Sequence, residues 1–451
     1  MDRRRAAATG ATGSRRPARL SAVTDGDRTR RASRMRVMTE GSTVTPLELF
    51  FDLVFVYALT QVTALMADDL TAGGLLRGLL LLAVLWWCWC CYAWLGNTVR
   101  VDEGLLRVVL FAVMATMFVV AVTIPEAFDD LPGGLSGPVV FAACYLVVRV
   151  LHLVLYFFAA RGDAGLRRQL LRAALPMLAG ALLLFSAALV PQRLTDSPQQ
   201  VGTIRTVLWV LALAVDYGGI MAIGARGWRI FSAAHWAERH GLIIIIALGE
   251  SLVAIGVGAT ALPISWPIII ASALAITVTA ALWWAYFDVV SIAAERVLHR
   301  AEGVARAALG RDSYTYLHLP MVAGIILLAL GFKKVLGYVG DSTHHKLGDP
   351  LHGWGLLALY GGVILYLLGH LCFRLRSMSS VNWPRAATVL LLIALLPVAD
   401  RLPALAALGV LAVVCVAMVV AEVRLFGAAR RELRDAFLAE HGAGPAPAGG
   451  R

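Results

Sequence analysis

Residues His235–Gly256 read HWAERHGLIIIIALGESLVAIG. A six-residue polar head, His235 to His240, runs directly into an apolar stretch, and Gly249-Glu250-Ser251 sits about halfway along it. About 20 apolar residues in helical conformation cross the hydrocarbon layer of a bilayer, so this segment reads as a transmembrane helix. A carboxylate at mid-bilayer costs roughly 2.5–3.5 kcal/mol on insertion scales, and therefore requires a partner, water or a proton. Two roles fit Glu250 on these grounds. It either closes an interhelical hydrogen bond that holds a bundle together, or it handles protons or transported solute.

The same pattern recurs on both sides of that helix. The 451 residues are 59% hydrophobic and only 15% charged, with a mean hydropathy of +0.75. Repeated apolar runs of spanning length exclude a soluble globular class and predict an all-α polytopic membrane protein. The runs place twelve transmembrane helices near residues 47–67, 74–95, 105–124, 137–160, 170–190, 203–223, 240–260, 264–290, 314–332, 353–373, 386–400 and 402–423.

A net charge of +11 invites a nucleic-acid reading, which the placement of the charges removes. Lysine occurs only at Lys333, Lys334 and Lys346, and nearly all the arginine lies in tails and short loops. With the N-terminus inside, 32 of the 40 basic residues fall in inner segments and 7 in outer ones. That asymmetry predicts an N-in, C-in topology. The six cysteines lie in apolar runs, which argues against a disulfide framework. Cys88-Trp89-Cys90-Cys91 has no nearby histidine to complete a metal set, so no metal and no cofactor are expected.

Residues 1–42 are rich in Arg, Ala, Gly and Ser without periodicity, which predicts a disordered cytoplasmic tail that touches anionic lipid. Residues 426–451 are expected to form a second cytoplasmic tail. Between them the chain divides into two six-helix halves, 43–224 and 225–425. Asp52 precedes Trp86 of Leu85-Trp86-Trp87 by 34 residues, and Glu250 precedes Trp283 of Leu282-Trp283-Trp284 by 33. His152 and His370 occupy matching spans. With an even number of helices in each half, the repeats are expected to be parallel.

Few residues in the spans can carry chemistry. Glu48 and Asp52 are i, i+4 and share a face of the first span. Glu48 also fits a first-turn acid complementing the helix dipole, whereas Asp52 lies deeper among aromatics and is the stronger candidate. Asp216 and Asp288 lie toward the cytoplasmic ends of the sixth and eighth spans, and Arg149 and His152 are one turn apart in the fourth. Arg149 cannot lose its proton, so it must face carboxylates, and Asp52 or Glu250 are its expected partners. Glu238, Arg239 and His240 read as an interfacial anchor, with Arg239 roughly 16 Å below Glu250 along the helix. Asp52, Arg149, Asp216, Glu250 and Asp288 are expected to meet in an inward-facing polar cavity, with Ser251 beside Glu250. Gly249 fits close helix packing. No catalytic residue stands out, since no strong nucleophile or metal set is present.

Four stretches resemble one family. ELFFDLVFVYALTQ (48–61), LWWCWCCYAWLGN (85–97), AHWAERHGLIIIIALGES (234–251) and LWWAYFD (282–288) are similar to the bacterial low temperature requirement A family. The resemblance covers about residues 43–425 and implies a multi-pass inner-membrane protein linked to growth in the cold. Its motif positions fall here on Glu48, Asp52, Trp86, His235, Glu238, Gly249 and Glu250, with Trp87 and Arg239 inside the same stretches. The Cys88–Cys91 segment departs from that pattern. FFDLVFVYALT is also similar to the Phe-Ser-Asp motif of the lysosomal potassium channel family, with Phe51 in the serine position. The expected function is a permease or channel-like transporter of a small solute or ion, proton-coupled through intramembrane carboxylates. The alternatives are an intramembrane enzyme acting on lipid or a lipid-linked group, and a non-catalytic scaffold or sensor. The partners expected are the bilayer, anionic lipid at the basic tail, the solute or ion, and a second copy in a homo-oligomer, with no nucleic acid.

Overall fold

In a computed structural model of the chain, residues 38–442 are described, apart from 103, 261 and 342. Most of the expected basic N-terminal tail and the last nine residues lie outside that range. The described residues form helices and no strands. Twelve long helices follow in the expected order: α1 Pro46–Asp68, α2 Ala72–Thr98, α3 Gly104–Val122, α4 Gly137–Ala159, α5 Ala164–Leu189 and α6 Pro198–Ile223, then α7 Ala233–Thr260, α8 Trp266–Phe287, α9 His318–Gly340, α10 Gly353–Met378, α11 Trp383–Ala399 and α12 Ala404–Gly442. Ten helical stretches among the described residues are long and apolar enough to cross a membrane, while α3 and α11 supply the shorter apolar stretches Leu106–Val122 and Trp383–Ala399. The protein is an all-α, multi-pass membrane protein, and its helices imply a bilayer around it.

Local chemistry starts the helices where the sequence turns apolar. At α1 the Thr45 hydroxyl accepts the Glu48 amide at 3.3 Å, and the Glu48 carboxylate accepts the Thr45 amide at 2.9 Å, with Pro46 in the first turn. This reciprocal cap satisfies two donors that a helix start leaves open. It also turns Glu48 inward. Asp163 and Asn382 cap α5 and α11 through their own side chains.

Between α8 and α9 the apolar pattern predicts a loop. The structure instead carries an amphipathic helix, Val290–Arg300, a short helix Gly303–Leu309, and a π-helical turn, Gly310–Tyr316, that feeds α9. α9 also runs past its expected end near 332 to Gly340, so Lys333 and Lys334 sit on the helix rather than in an outer loop, and Lys334 donates to the Ala67 carbonyl at 2.7 Å. Residues 426–442 continue α12, where a tail was expected.

The centre of the bundle is built from α1, α2, α7 and α9. α7 packs on α1, α2, α8 and α9, and α9 on α7 and α10. The α9–α10 contact is the closest approach. A Cβ added at Gly324 would stand 2.5 Å from the Tyr366 nitrogen, one at Gly331 2.5 Å from the Leu359 Cα, and one at Gly362 2.6 Å from the Leu328 nitrogen. Those are backbone atoms, so no side chain can give way. Small residues that let backbones touch are the usual means of helix association in lipid, where no hydrophobic force separates helix from tail. Gly362→Ala is therefore expected to cost about 1–3 kcal/mol by overpacking. The neighbouring Gly361→Ala, which meets nothing within 4 Å, should be neutral. Thermal unfolding of the two variants in detergent compares them, and equal melting temperatures would refute the close contact.

Candidate functional site

The candidate site is built on the seam between α1 and α7, at the end where both helices begin. Glu48 and Asp52 project from one face of α1, as their spacing requires. His235 and Arg239, also four residues apart, project from α7 to meet them. His235 Nε2 lies 3.0 Å from Glu48 Oε1, and Arg239 Nη1 donates to Asp52 Oδ2 at 2.8 Å and to the Glu48 carbonyl at 3.0 Å. All four side chains are buried, at 3% exposure or less.

α2 closes the third side. Trp89 donates its indole N–H to Asp52 Oδ1 at 2.9 Å, and the Arg239 guanidinium lies 5.4 Å from the centre of the same ring. Asn97 accepts the Phe231 amide on Oδ1 at 2.7 Å, which leaves its Nδ2 to donate to the Ser232 carbonyl at 2.7 Å and toward His235 Nδ1 at 3.2 Å. His235 Nδ1 must then accept, so the ring carries its proton on Nε2 and presents it to Glu48. Gly96 makes room for this: a Cβ there would stand 2.6 Å from Glu48 Oε1. Trp86, the other motif tryptophan here, donates to the Thr315 carbonyl at 2.7 Å and ties α2 to the π-helical turn.

Two sequence expectations change at this point. Arg239 is no interfacial anchor. It sits at a helix start but points into the protein, because Asp52 and Trp89 complete its coordination. Arg149 pairs with neither Asp52 nor Glu250. Its Nη2 donates to Asp216 Oδ2 at 2.7 Å and to Oδ1 at 3.0 Å, and its Nη1 donates to the Cys91 thiol at 2.8 Å. α4 and α6 bring Arg149 and Asp216 to the same depth, whereas Asp52 is already matched by Arg239. Glu238 is exposed and accepts the Val44 amide at 2.9 Å, which fixes the segment leading into α1.

A third buried pair was not anticipated. Arg385 at the start of α11 binds Glu422 of α12 with Nε at 2.5 Å from Oε1 and Nη2 at 2.9 Å from Oε2. Asn382 donates to Glu422 at 2.8 Å, and Arg385 Nη1 lies 2.6 Å from the His370 ring. Asp288, at the end of α8, pairs with Arg430 on the extension of α12.

Glu250 differs from all of these. It lies three turns deeper on α7, is 1% exposed, and accepts the Thr60 hydroxyl of α1 at 2.5 Å. No basic group lies within salt-bridge distance of it among the described residues; the cation whose field reaches it is Lys333. Ser251 Oγ beside it is buried without a hydrogen-bond partner. The five residues expected to share one cavity thus occupy separate places: Asp52 and Glu250 at two levels of the α1–α7 seam, Arg149 with Asp216 between α4 and α6, and Asp288 against α12. Among the described residues no three His, Cys, Asp or Glu side chains are placed to hold a metal ion.

Residues 43–420 match the family described as Bacterial low temperature requirement A protein. The chain belongs to that family. It is also 31% identical over 334 residues to an uncharacterized protein of Rhizobium meliloti (strain 1021), a match covering 71% of this chain and 75% of that one. No solved structure matches it. In this low temperature requirement A protein the sequence motifs, far apart along the chain, converge. The motif acids of α1, Trp89 of α2, and His235, Arg239 and Glu250 of α7 face one seam, while Trp86 and Trp87 of α2 turn toward the π-helical turn.

Proposed function

We propose that this low temperature requirement A protein is a permease or channel-like transporter of a small solute or ion in the bacterial cytoplasmic membrane. In this reading it is proton-coupled, and Glu250 is the coupling carboxyl. The observation that carries the reading is the contrast along the α1–α7 seam. Asp52 is clamped by Arg239 in a buried ion pair and Glu48 by the His235 N–H, so changing the charge of either would leave a buried partner stranded, a loss of several kcal/mol for the ion pair. Glu250 is held by neutral threonine hydroxyls of α1, Thr60 at 2.5 Å and Thr63 beside it, and by no ion pair among the described residues. It can take up or release a proton without leaving a stranded partner, which is what a coupling group must do.

Two further features support a transporter built from two halves. Asp216 is the nineteenth residue of Pro198–Ile223, and Glu422 the nineteenth of Ala404–Gly442. Each is bound by a buried arginine, Arg149 and Arg385 respectively. A buried acid at the same position in the last helix of each half fits a parallel duplication, with the pairing arginine supplied by different helices, α4 and α11. The concentration of basic residues in alternate loops favours the N-in, C-in orientation.

The test is flux in proteoliposomes under an imposed pH gradient, wild type against Glu250→Gln. Glutamine keeps the shape and an acceptor for Thr60, so the variant is expected to fold with an unchanged melting temperature. Gradient-driven flux should disappear in it. Flux in the variant equal to wild type would remove Glu250 as the coupling group. Absence of wild-type flux across a broad panel of ions and small solutes would remove the transporter reading and favour the enzyme or scaffold.

A further inference from the structure

A second feature lies away from the α1–α7 seam. α8 and α10 end, and α11 begins, around a cavity of about 160 Å³ to which α12 also contributes a wall. Its polar lining is Asp288, Arg374, Asn382, Arg385, Glu422 and Arg430.

The charges on this lining do not cancel. Asp288 pairs with Arg430, and Glu422 with Arg385, so each carboxylate already has its own guanidinium. Arg374 is the third arginine. Among the described residues no carboxylate lies within salt-bridge distance of it. Its Nη2 donates to Ser380 Oγ at 3.2 Å, while its Nε is buried without a hydrogen-bond partner. A buried donor left unpartnered is uncommon enough to require an explanation. Three positive charges thus face two negative ones, and the surplus rests on Arg374.

The depth of the cavity narrows what can answer that charge. It sits where three spans end or start, and Trp383, next to Asn382, is exposed. Tryptophan gathers at the membrane–water interface. The amphipathic helix Val290–Arg300 begins on the same wall, with Val290 and Ala293 among the lining residues. Helices of that kind lie along the interface. In the N-in orientation this end of the bundle faces the cytoplasm, where the leaflet carries anionic lipid.

We propose that this cavity binds an anionic phosphate group, presented either by a lipid headgroup or by free phosphate. Arg374 supplies the charge-assisted bond, which is about twice as strong as a neutral one. A phosphate has fewer heavy atoms than benzene, a guest that a cavity of about 150 Å³ accepts. The group therefore fits, and the acyl chains of a lipid would stay outside in the bilayer. Trp284 and Phe426 on the cavity wall are partly exposed and offer apolar surface to the glycerol and the chains. A cation would meet the surplus positive charge. Water would satisfy the N–H groups and leave the charge unanswered. The proposal stands independently of transport.

The test titrates the full-length protein, purified and delipidated in detergent, with phosphatidylglycerol, phosphatidylcholine or inorganic phosphate, and reads tryptophan fluorescence. A saturable response to phosphatidylglycerol is expected, with phosphatidylcholine at least about 10-fold weaker, or ~1.4 kcal/mol. A saturable response to inorganic phosphate would identify the free ion as a source, and its absence would restrict the site to lipid. Arg374→Gln should lose a similar factor while the melting temperature of the lipid-free protein holds, because only the Ser380 bond is given up. Arg374→Lys keeps the charge and should retain binding, which separates loss of charge from loss of fold. Arg376→Gln removes an equal charge two residues away, from a side chain held by Asp312, and should bind as wild type does. Three results would overturn the proposal. One is no saturation by either phosphatidylglycerol or phosphate. Another is phosphatidylcholine binding as tightly as phosphatidylglycerol. The third is Arg374→Gln binding no worse than Arg376→Gln, which would reduce the effect to general surface attraction.

Discussion

Arg239→Ala is expected to destabilise the protein by about 3–5 kcal/mol, the scale for removing one partner of a buried ion pair. Two acceptors lose their donor at once. Asp52 Oδ2 loses its 2.8 Å bond and the Glu48 carbonyl its 3.0 Å bond. What remains at Asp52 is the Trp89 indole at 2.9 Å, one neutral donor for a charge buried in the core. The double variant Arg239→Met with Asp52→Leu removes both charges together, so their desolvation costs also vanish. It should recover most of the loss, since exchanging a buried pair for apolar residues of similar volume is often neutral. Titration with SDS in mixed micelles measures both variants, and the single variants Arg239→Met and Asp52→Leu complete the cycle that yields a coupling energy, typically 0.5–3 kcal/mol for residues in contact. A loss below about 1 kcal/mol in Arg239→Ala would mean that the pair is screened like a surface one, and the buried arrangement would be wrong.

Glu422→Ala is expected to be comparably severe, again about 3–5 kcal/mol. Here the guanidinium is the group left behind. Arg385 would lose both arms of its fork, at 2.5 and 2.9 Å, and Asn382 would lose its acceptor at 2.8 Å. His370, 2.6 Å from Nη1, offers no countercharge. Because the pairing is bidentate, Arg385→Lys in the wild-type background should also destabilise, since an ammonium on a flexible stem cannot match a planar fork. The same micellar titration reads both variants. Arg385→Lys at wild-type stability would show that only a point charge is needed, and Glu422→Ala at wild-type stability would dissolve the cluster.

These two clusters show what the sequence carried and what it hid. The twelve helices were legible because apolar run length is a local property, and a span of about 20 residues needs no knowledge of its neighbours. The acids of α1 and Glu250 were legible because a charge inside such a run is costly wherever it lands. Pairing is not local. Arg239 and Asp52 are 187 residues apart, and Arg149 and Asp216 67. With only one basic residue placed deep in a span, Arg149 was matched to the wrong acids, because helix adjacency cannot be read from periodicity. Arg239 and Arg385 were counted among loop and interfacial charges because each follows a helix start. Depth supplies a signal that was present: Arg385 opens α11 and Glu422 lies late in α12, so both sit at the same end of the bundle. The π-helical turn carries no such signal. Its GRDSYTY sequence reads as a polar loop, and contacts from distant helices hold it: Trp86 and Trp94 of α2 on Thr315, Ser377 of α10 on Ser313, and Tyr316 on the Tyr217 carbonyl of α6.

The 187-residue separation also has a consequence for biogenesis. Ribosomes add about 5–20 residues per second, so α7 follows the α1 acids by roughly 10–40 s. During that interval Glu48 and Asp52 stand at the membrane without His235 and Arg239, each at an insertion cost of a few kcal/mol. The nascent α1 is therefore expected to remain at the translocon or the interface until the second half arrives. Its final seat is taken as a late, concerted step, and a chain truncated before Ala233 should be left with α1 loosely inserted and open to degradation.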